Sequence, residues 1–240
     1  DYDNWAYNGC PGWGYDDILP YFQKLENQDD DTNPTAGKGG PLAVASASRE
    51  PSPVSAAFIE ACVELGFERT ADFNGPQMEG TGWHHVNIKD GTRHSMEEAY
   101  LYPALERSGN LTLIDNAPAM RLLFQGRRCT GIQVYRNGQS ETITANREVI
   151  LCAGAIDSPK ILMLSGIGAG ERLMQMGIPV LLDLPGVGEN FHNHVLAPVI
   201  CVASREIPPP RQNMSEAALF YRSEPGWPGP DMQMAFVHGD

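Results

Sequence analysis

Long apolar runs are missing from this 240-residue chain: no stretch of 18 apolar residues occurs, so no membrane-spanning helix is encoded. Paired cysteines are missing too. The five cysteines, at 10, 62, 129, 152 and 201, show no C-x-x-C spacing, which argues against a disulfide framework and for reduced thiols in a cytoplasmic protein. Basic charge is scarce, with 17 Lys and Arg against 30 Asp and Glu and a net charge of −13. Such a surface repels phosphate backbones and counts against nucleic acid as a partner. Asp1-Tyr2-Asp3-Asn4-Trp5 has neither the basic nor the apolar region of a signal peptide, and no initiator Met, so a further segment upstream is expected. No internal repeat is visible.

What is present is a globular share of apolar residues, 42%, with 25 Gly and 19 Pro that predict many turns between short elements. The length suits one large domain or two modest ones. Asp16 to Glu26 reads as a short helix capped by Asp16, with Ile18, Leu19, Phe22 and Leu25 on one side. Residues 27–40, with Asp29-Asp30-Asp31 and Gly37-Lys38-Gly39-Gly40, read as a polar loop. A helix from about Pro53 to Leu65 has Ser52 as its cap, Pro53 in its first turn and Gly66 at its end; Phe58, Ile59, Cys62 and Leu65 share a face. Residues 70–92 are Gly-rich and irregular. Ser95 and Glu98 have capping-box spacing before another helix, which Pro103 should end or kink.

A β-rich stretch follows. Leu111-Thr112-Leu113-Ile114 and Met120 to Phe124 read as strands, and Cys129 to Arg136 and Gln139 to Thr144 flank a hairpin turn at Asn137-Gly138. Glu148-Val149-Ile150-Leu151-Cys152 has the apolar interior of a strand buried on both faces. It runs into Ala153-Gly154-Ala155, then Asp157-Ser158-Pro159 and an apolar helix through Leu164. Strand, small residues and capped helix form the crest of an α/β sheet, where ligands approach the strand ends, small residues admit close backbone, and helix amides attract anions. Tight turn packing without a ligand is the plainer alternative. Ser165-Gly166-Ile167-Gly168 follows a helix and reads as a helix-ending turn rather than a phosphate loop. Residues 204–212, with Pro208-Pro209-Pro210, form a loop, and Ala217 to Arg222 and Met232 to Val237 read as strands of another sheet.

The run Gly154-Ala155-Ile156-Asp157-Ser158-Pro159-Lys160-Ile161-Leu162-Met163-Leu164-Ser165-Gly166-Ile167-Gly168 closely resembles the second signature of the glucose-methanol-choline (GMC) oxidoreductases, and Leu184-Pro185-Gly186-Val187-Gly188-Glu189-Asn190 follows at the family's usual distance. Asp1 to Glu26, Asp72-Phe73-Asn74-Gly75, Gly91 to Leu101 and Asn110 to Leu113 also match in order. The resemblance covers nearly the whole chain and is nearest the choline-dehydrogenase-like branch.

The resemblance implies an α/β (α+β) fold: part of a Rossmann-like FAD-binding domain plus part of a substrate-binding domain with an antiparallel sheet. The expected division is residues 1–40 as a covering or linker segment, 41–92 and 196–240 in the substrate domain, and 93–195 as the middle of the FAD-binding domain. It implies FAD as cofactor and a small alcohol as substrate, oxidised by hydride transfer to the flavin. Carried over by position, Cys152, Ala153, Gly154 and Ala155 lie along the FAD, Ser158 and Pro159 open the adjoining helix, Met120 falls where the family touches the adenine, and Asn190, His192, Asn193 and His194 sit near the flavin end. The family's Asp-His is here Asn193-His194, so a role requiring an anion is not met. The family's G-x-G-x-x-G is absent, as are its first signature and the region bearing its catalytic histidine, so no catalytic residue is assigned. The complement is expected in missing segments of the same protein or on another chain. The 204–216 loop is expected to shape the substrate pocket.

Other readings stay open. The chain is alternatively a truncated, non-catalytic binding or assembly module, or a relative of the family's non-redox lyases and decarboxylase. His192 and His194, two residues apart, have no further ligands nearby in sequence, so no metal is expected. His84-His85 is expected to be solvent-exposed, His94 to lie near a helix start, and Arg93 to make a surface salt bridge. Trp5, Trp13, Trp83 and Trp227 are expected to serve packing.

Overall fold

The computed structural model describes residues 2–210 and 212–238; Arg211, within the expected 204–212 loop, lies outside the described residues. The chain divides into two compact units, Asp1–Leu111 with Cys201–Asp240, and Thr112–Ile200. The fold is mixed α/β with several antiparallel sheets, as the sequence implies.

The first unit opens with α1 (Tyr2–Tyr7) and α2 (Tyr15–Leu25). Asp16 does not cap α2, because the helix begins one residue earlier and leaves Asp16 inside its first turn. Asp3 accepts from the Tyr15 amide at 2.8 Å and Asp17 from the Gly14 amide at 3.2 Å instead. Residues 26–28 are also more ordered than the expected loop. Glu26–Gln28 (β1) pairs in parallel with the start of β2 (Leu42–Ser46), and Glu26 accepts from the Gly37 amide at 2.6 Å to close the intervening turn.

The helix expected over 53–65 is α3 (Pro53–Glu64), with the Ser52 hydroxyl accepting from the Val54 amide and Gly66 at φ +94° beyond its end. Within the stretch expected to be irregular lie β3 (Gly80–Trp83), β4 (His85–Val86), β5 (Ile88–Lys89) and β6 (Thr92–Arg93). β4 pairs antiparallel with β2, and β5 with β6. The capping box at Ser95 does not form. Glu97–Leu101 winds as a single π turn, with the Tyr102 amide bonded to the Glu97 carbonyl five residues back. Pro103 has no amide to continue that ladder, so the chain restarts as α4 (Tyr102–Arg107) with Pro103 in its first turn.

The second unit is built on a meander of β7 (Ala119–Gln125), β8 (Arg128–Arg136) and β9 (Gln139–Thr144). The expected hairpin is present: Arg136 faces Gln139, and Asn137 and Gly138 sit at φ +51° and +81°, the left-handed pair a tight two-residue turn needs. α5 (Gly154–Leu164) packs on β7, where the Ser165 hydroxyl accepts from the Leu122 amide at 2.8 Å. The helix-ending turn at Ser165-Gly166 forms as expected and leads into β10 (Ile167–Gly168), which pairs in parallel with β11 (Leu182–Asp183) around α6 (Gly170–Gln175). Val134, Ile161 and Leu173 are its buried apolar centre.

Two expected strands of this region are not strands. Leu111–Ile114 and Glu148–Cys152 have no ladder partner among the described residues, and Leu113 and Ile150 are 56% and 76% exposed. A strand buried on both faces requires neighbours at each edge and a layer on each side, and these segments have neither.

The chain then returns to the first unit with β12 (Ala217–Tyr221) and β13 (Met232–Phe236), the two strands expected there. β12 is central in the order β13-β12-β3 and antiparallel to both neighbours. α3 covers this sheet, with Ile59 and Cys62 buried and Phe58 stacked on Phe236 at 5.2 Å. Burying such side chains stabilises the layer by about 2 kcal/mol each.

Candidate cofactor site

The turn entering α5 carries most of the residues singled out from sequence. Cys152, Ala153, Gly154 and Ala155 are exposed, while Ser158 and Pro159 are partly covered. Ser158 and Pro159 do not open the helix, which starts four residues earlier at Gly154; the Ser158 hydroxyl instead reaches back and accepts from the Ala153 amide at 3.0 Å. Gly154 is left-handed at φ +82°, with no atom within 4 Å of where a Cβ would stand. The turn into α5 is therefore small, open and followed by the free amides of a helix's first turn.

Beyond α5, Gly188 lies so close that a Cβ there would come within 2.4 Å of the Met163 tip. Gly188 and Phe191 line an open cavity of about 320 Å³ together with Ala155, Pro159 and Met163. Asn190 stands between them in the left-handed region at φ +55°. His192, Asn193 and His194 continue as exposed chain outside any helix or strand, where the Asn193 side chain accepts from the His194 amide at 2.9 Å. Met120 is exposed on β7. The structure thus brings Ala155, Pro159, Gly188 and Phe191 to one cavity. It does not draw Met120, Cys152, Ala153, Gly154, Ser158, Asn190 or His192–His194 into that cavity's lining.

The histidine pair overturns its expectation. The His85 ring is 1% exposed, with Nε2 3.1 Å from Asp30 Oδ2 and Nδ1 3.5 Å from Asp72 Oδ1. Gln28 donates to both carboxylates, at 2.9 Å to Asp30 and 3.2 Å to Asp72, and the Asn74 amide donates to Asp72 at 2.8 Å. Burial alone would raise the Asp30 carboxyl, but hydrogen bonds from Thr32, Gln28 and His85 hold it well below the usual carboxylate range. His84 is half-buried against Phe73; burial first, and the charge of His85 second, push it below an ordinary imidazole. No local signal announces this cluster, because Asp30 is 55 residues from His85. Elsewhere, His94 Nδ1 accepts from the Ala43 amide at 3.1 Å, and Arg93 makes no ion pair among the described residues. Trp5, Trp13 and Trp227 are about half exposed.

The sequence profile of GMC oxidoreductases matches residues 1–196. The chain belongs to the GMC oxidoreductase family. Human mitochondrial choline dehydrogenase is 38% identical over 99% of this chain, an alignment covering 43% of that protein. The oxygen-dependent choline dehydrogenase of Brucella anthropi is 43% identical over 81% of this chain and 35% of its own length. Among solved structures, pyridoxine 4-oxidase from Mesorbium loti superposes with a TM-score of 0.80 at 31% identity, over 92% of this chain and 44% of that one. The chain therefore spans less than half the length of these relatives.

Proposed function

We propose that this chain is part of an FAD-dependent oxidoreductase that acts on the CH–OH group of a small alcohol, and that it supplies part of the cofactor cradle and none of the catalytic base. The observation that carries this reading is the turn Cys152–Ala155, with open, left-handed Gly154 at the start of α5. Small exposed residues admit a flat or phosphate-bearing group against bare backbone, and the first amides of an 11-residue helix favour its negative charge. The residues present thus fit a dinucleotide.

Bound FAD supplies the acceptor for the hydride that leaves the alcohol carbon. This chain's residues bind and orient it. Cys152, Ala153, Gly154 and Ala155 lie along the cofactor, and Ser158 fixes the turn through the Ala153 amide. Pro159 supports the cavity wall, Met120 contacts the adenine, and Asn190, His192, Asn193 and His194 approach the flavin end. Asn193 contributes hydrogen bonds and no charge. Residues 93–195 are assigned to the middle of the cofactor domain, 41–92 and 196–240 to the substrate domain, and 1–40 to a covering segment. The complementary segments belong to the same protein or to a partner chain. Relatives named as choline dehydrogenases and as pyridoxine 4-oxidase support a small alcohol as substrate. No helix of the described residues is long and apolar enough to cross a membrane. Five free cysteines support the cytoplasm as its compartment.

The test is the visible absorption spectrum of the purified protein, repeated on the supernatant after denaturation. Flavin bands that reappear as free FAD support the reading. A colourless protein that takes up no FAD on titration removes Cys152–Ala155 from the cofactor cradle.

A further inference from the structure

We propose that Met163 is a peroxide-sensitive clasp: oxidation of its thioether to the sulfoxide releases the 185–191 segment from the end of α5. Eight of the nine methionines are exposed, and Met163 is the exception. Its side chain leaves α5 between two glycines that belong to other segments. A Cβ on Gly168, in β10, would stand 3.2 Å from Met163 Cγ, and a Cβ on Gly188 would overlap the Met163 methyl group. Backbone therefore closes on this side chain from both, and each approach exists because glycine carries no side chain. Leu173, 1% exposed, lies 3.6 Å from the same Gly168 position. The clasp joins the helix end to β10 and to the turn after β11.

The clasp is tight but reachable. Met163 lines the open cavity of about 320 Å³, which admits a molecule as small as a peroxide. Hydrogen peroxide is the co-reactant. The sulfur lone pair attacks one peroxide oxygen, an S–O bond forms and the O–O bond breaks; the proton of the transferred oxygen passes to the departing hydroxide, which leaves as water. Sulfur is oxidised by two electrons and the peroxide is reduced by two. The product is larger and polar where there is room for neither. Leu164, Leu173, Ile178 and Phe191 wall the cavity with hydrocarbon, and its one charged side chain, Lys160, is paired with Asp157. A sulfoxide oxygen buried there without a donor is unfavourable, and close-packed backbone at Gly188 accommodates it only by moving. The weaker side is 185–191. Beyond the Leu184 amide, which donates to the Gly168 carbonyl at 2.8 Å, its hydrogen bonds among the described residues are two turn bonds, Val187 to Leu184 and Glu189 to Gly186, and the exposed Arg172–Glu189 pair. α5 has its helical ladder and the Ser165 hydroxyl on the Leu122 amide. With the flavin end beside 190–194, as proposed above, oxidation also loosens the cofactor cradle; the test uses no cofactor, so its outcome is separate from that reading.

The experiment treats the full chain and Met163→Leu, a volume-conserving exchange, with hydrogen peroxide, then reads peptide masses and amide hydrogen exchange by mass spectrometry. Cleavage after Lys160 and Arg172 separates Met163 from Met174 and Met176. In the wild type, the Met163 peptide is expected to gain the mass of one oxygen. Exchange across 185–191 is then expected to quicken roughly threefold or more. Met163→Leu, whose exposed methionines oxidise equally, is expected to keep its exchange unchanged on treatment. Met163 left unoxidised while the exposed methionines react overturns the proposal, as does oxidation at Met163 without faster exchange across 185–191. Equal quickening in Met163→Leu assigns the effect to another methionine and overturns it too. Should that variant not fold, a time course on the wild type decides: exchange must rise with oxidation of the Met163 peptide and not with that of Met174 and Met176.

Discussion

The Ser52 amide donates to Glu216 Oε2 at 2.9 Å, joining two fully buried residues 164 apart in sequence. The carboxylate sits at the start of α3, where the helix's free amides favour a negative charge. Its other oxygen has no partner among the described residues, while the Glu216 carbonyl accepts from the His84 amide at 2.8 Å. One side chain thus fastens α3 to the residue that introduces β12.

Replacing Glu216 with Ala removes this fastening and leaves both a buried unpaired amide and a void. The loss should be roughly 2–4 kcal/mol. Denaturant unfolding of the wild type and Glu216→Ala measures it; coincident midpoints would show that the contact contributes nothing.

Asp30 gives the stability a signed dependence on acid. Its carboxyl is depressed in the folded protein, so its contribution is present above the ordinary aspartate range, about pH 4, and is lost as pH falls through that range and below. Asp30→Asn should be less stable than the wild type at neutral pH, and the gap should close on acidification. Urea midpoints at neutral pH and at about pH 3 test this, and two parallel curves would contradict it.

His84 acts in the same pH direction through the opposite chemistry. A histidine depressed by burial resists protonation in the fold, so the unfolded chain binds more protons just below about pH 6.5 and stability falls there. His84→Gln should flatten that part of the pH profile. Proton NMR offers an independent check, because the His84 ring should titrate below a free imidazole.

Gly154 separates stability from binding. Alanine in a left-handed conformation costs about 1–2 kcal/mol, and the open space around Gly154 means no clash is added. Gly154→Ala should therefore fold with a modest drop in Tm and bind markedly less FAD. The ratio of flavin to protein, before and after added FAD, decides it; full flavin content would move the cofactor away from this turn.

The parts of the fold legible in the sequence are those that local chemistry decides. Ser52-Pro53 and Gly66 delimit α3 because cap, first-turn proline and left-handed glycine act within one turn of the helix. Asn137-Gly138 marks its hairpin because both residues tolerate positive φ. What was not legible depends on distant partners. The apolar pattern of Glu148–Cys152 describes what such a strand would bury without saying whether a neighbour is there to bury it. His84-His85 looks exposed as a polar pair until Asp30 and Asp72 are placed around it. The resemblance singled out the turn into α5, but the start of α5 was not legible, since Asp157-Ser158-Pro159 carries the markings of a cap while already inside the helix. Ser95 and Glu98 lost their cap to the π turn that precedes Pro103.

The sheet order β13-β12-β3 fixes the order of events at the ribosome. Gly80–Trp83 waits for Ala217–Phe220, so the sheet β13-β12-β3 cannot form until more than 130 further residues have been translated. Thr112–Ile200 is made in between, and its meander, joined by turns of two residues, needs nothing from later sequence to zip up. The meander is thus translated, and able to pair, before the sheet that surrounds it in sequence has all its strands.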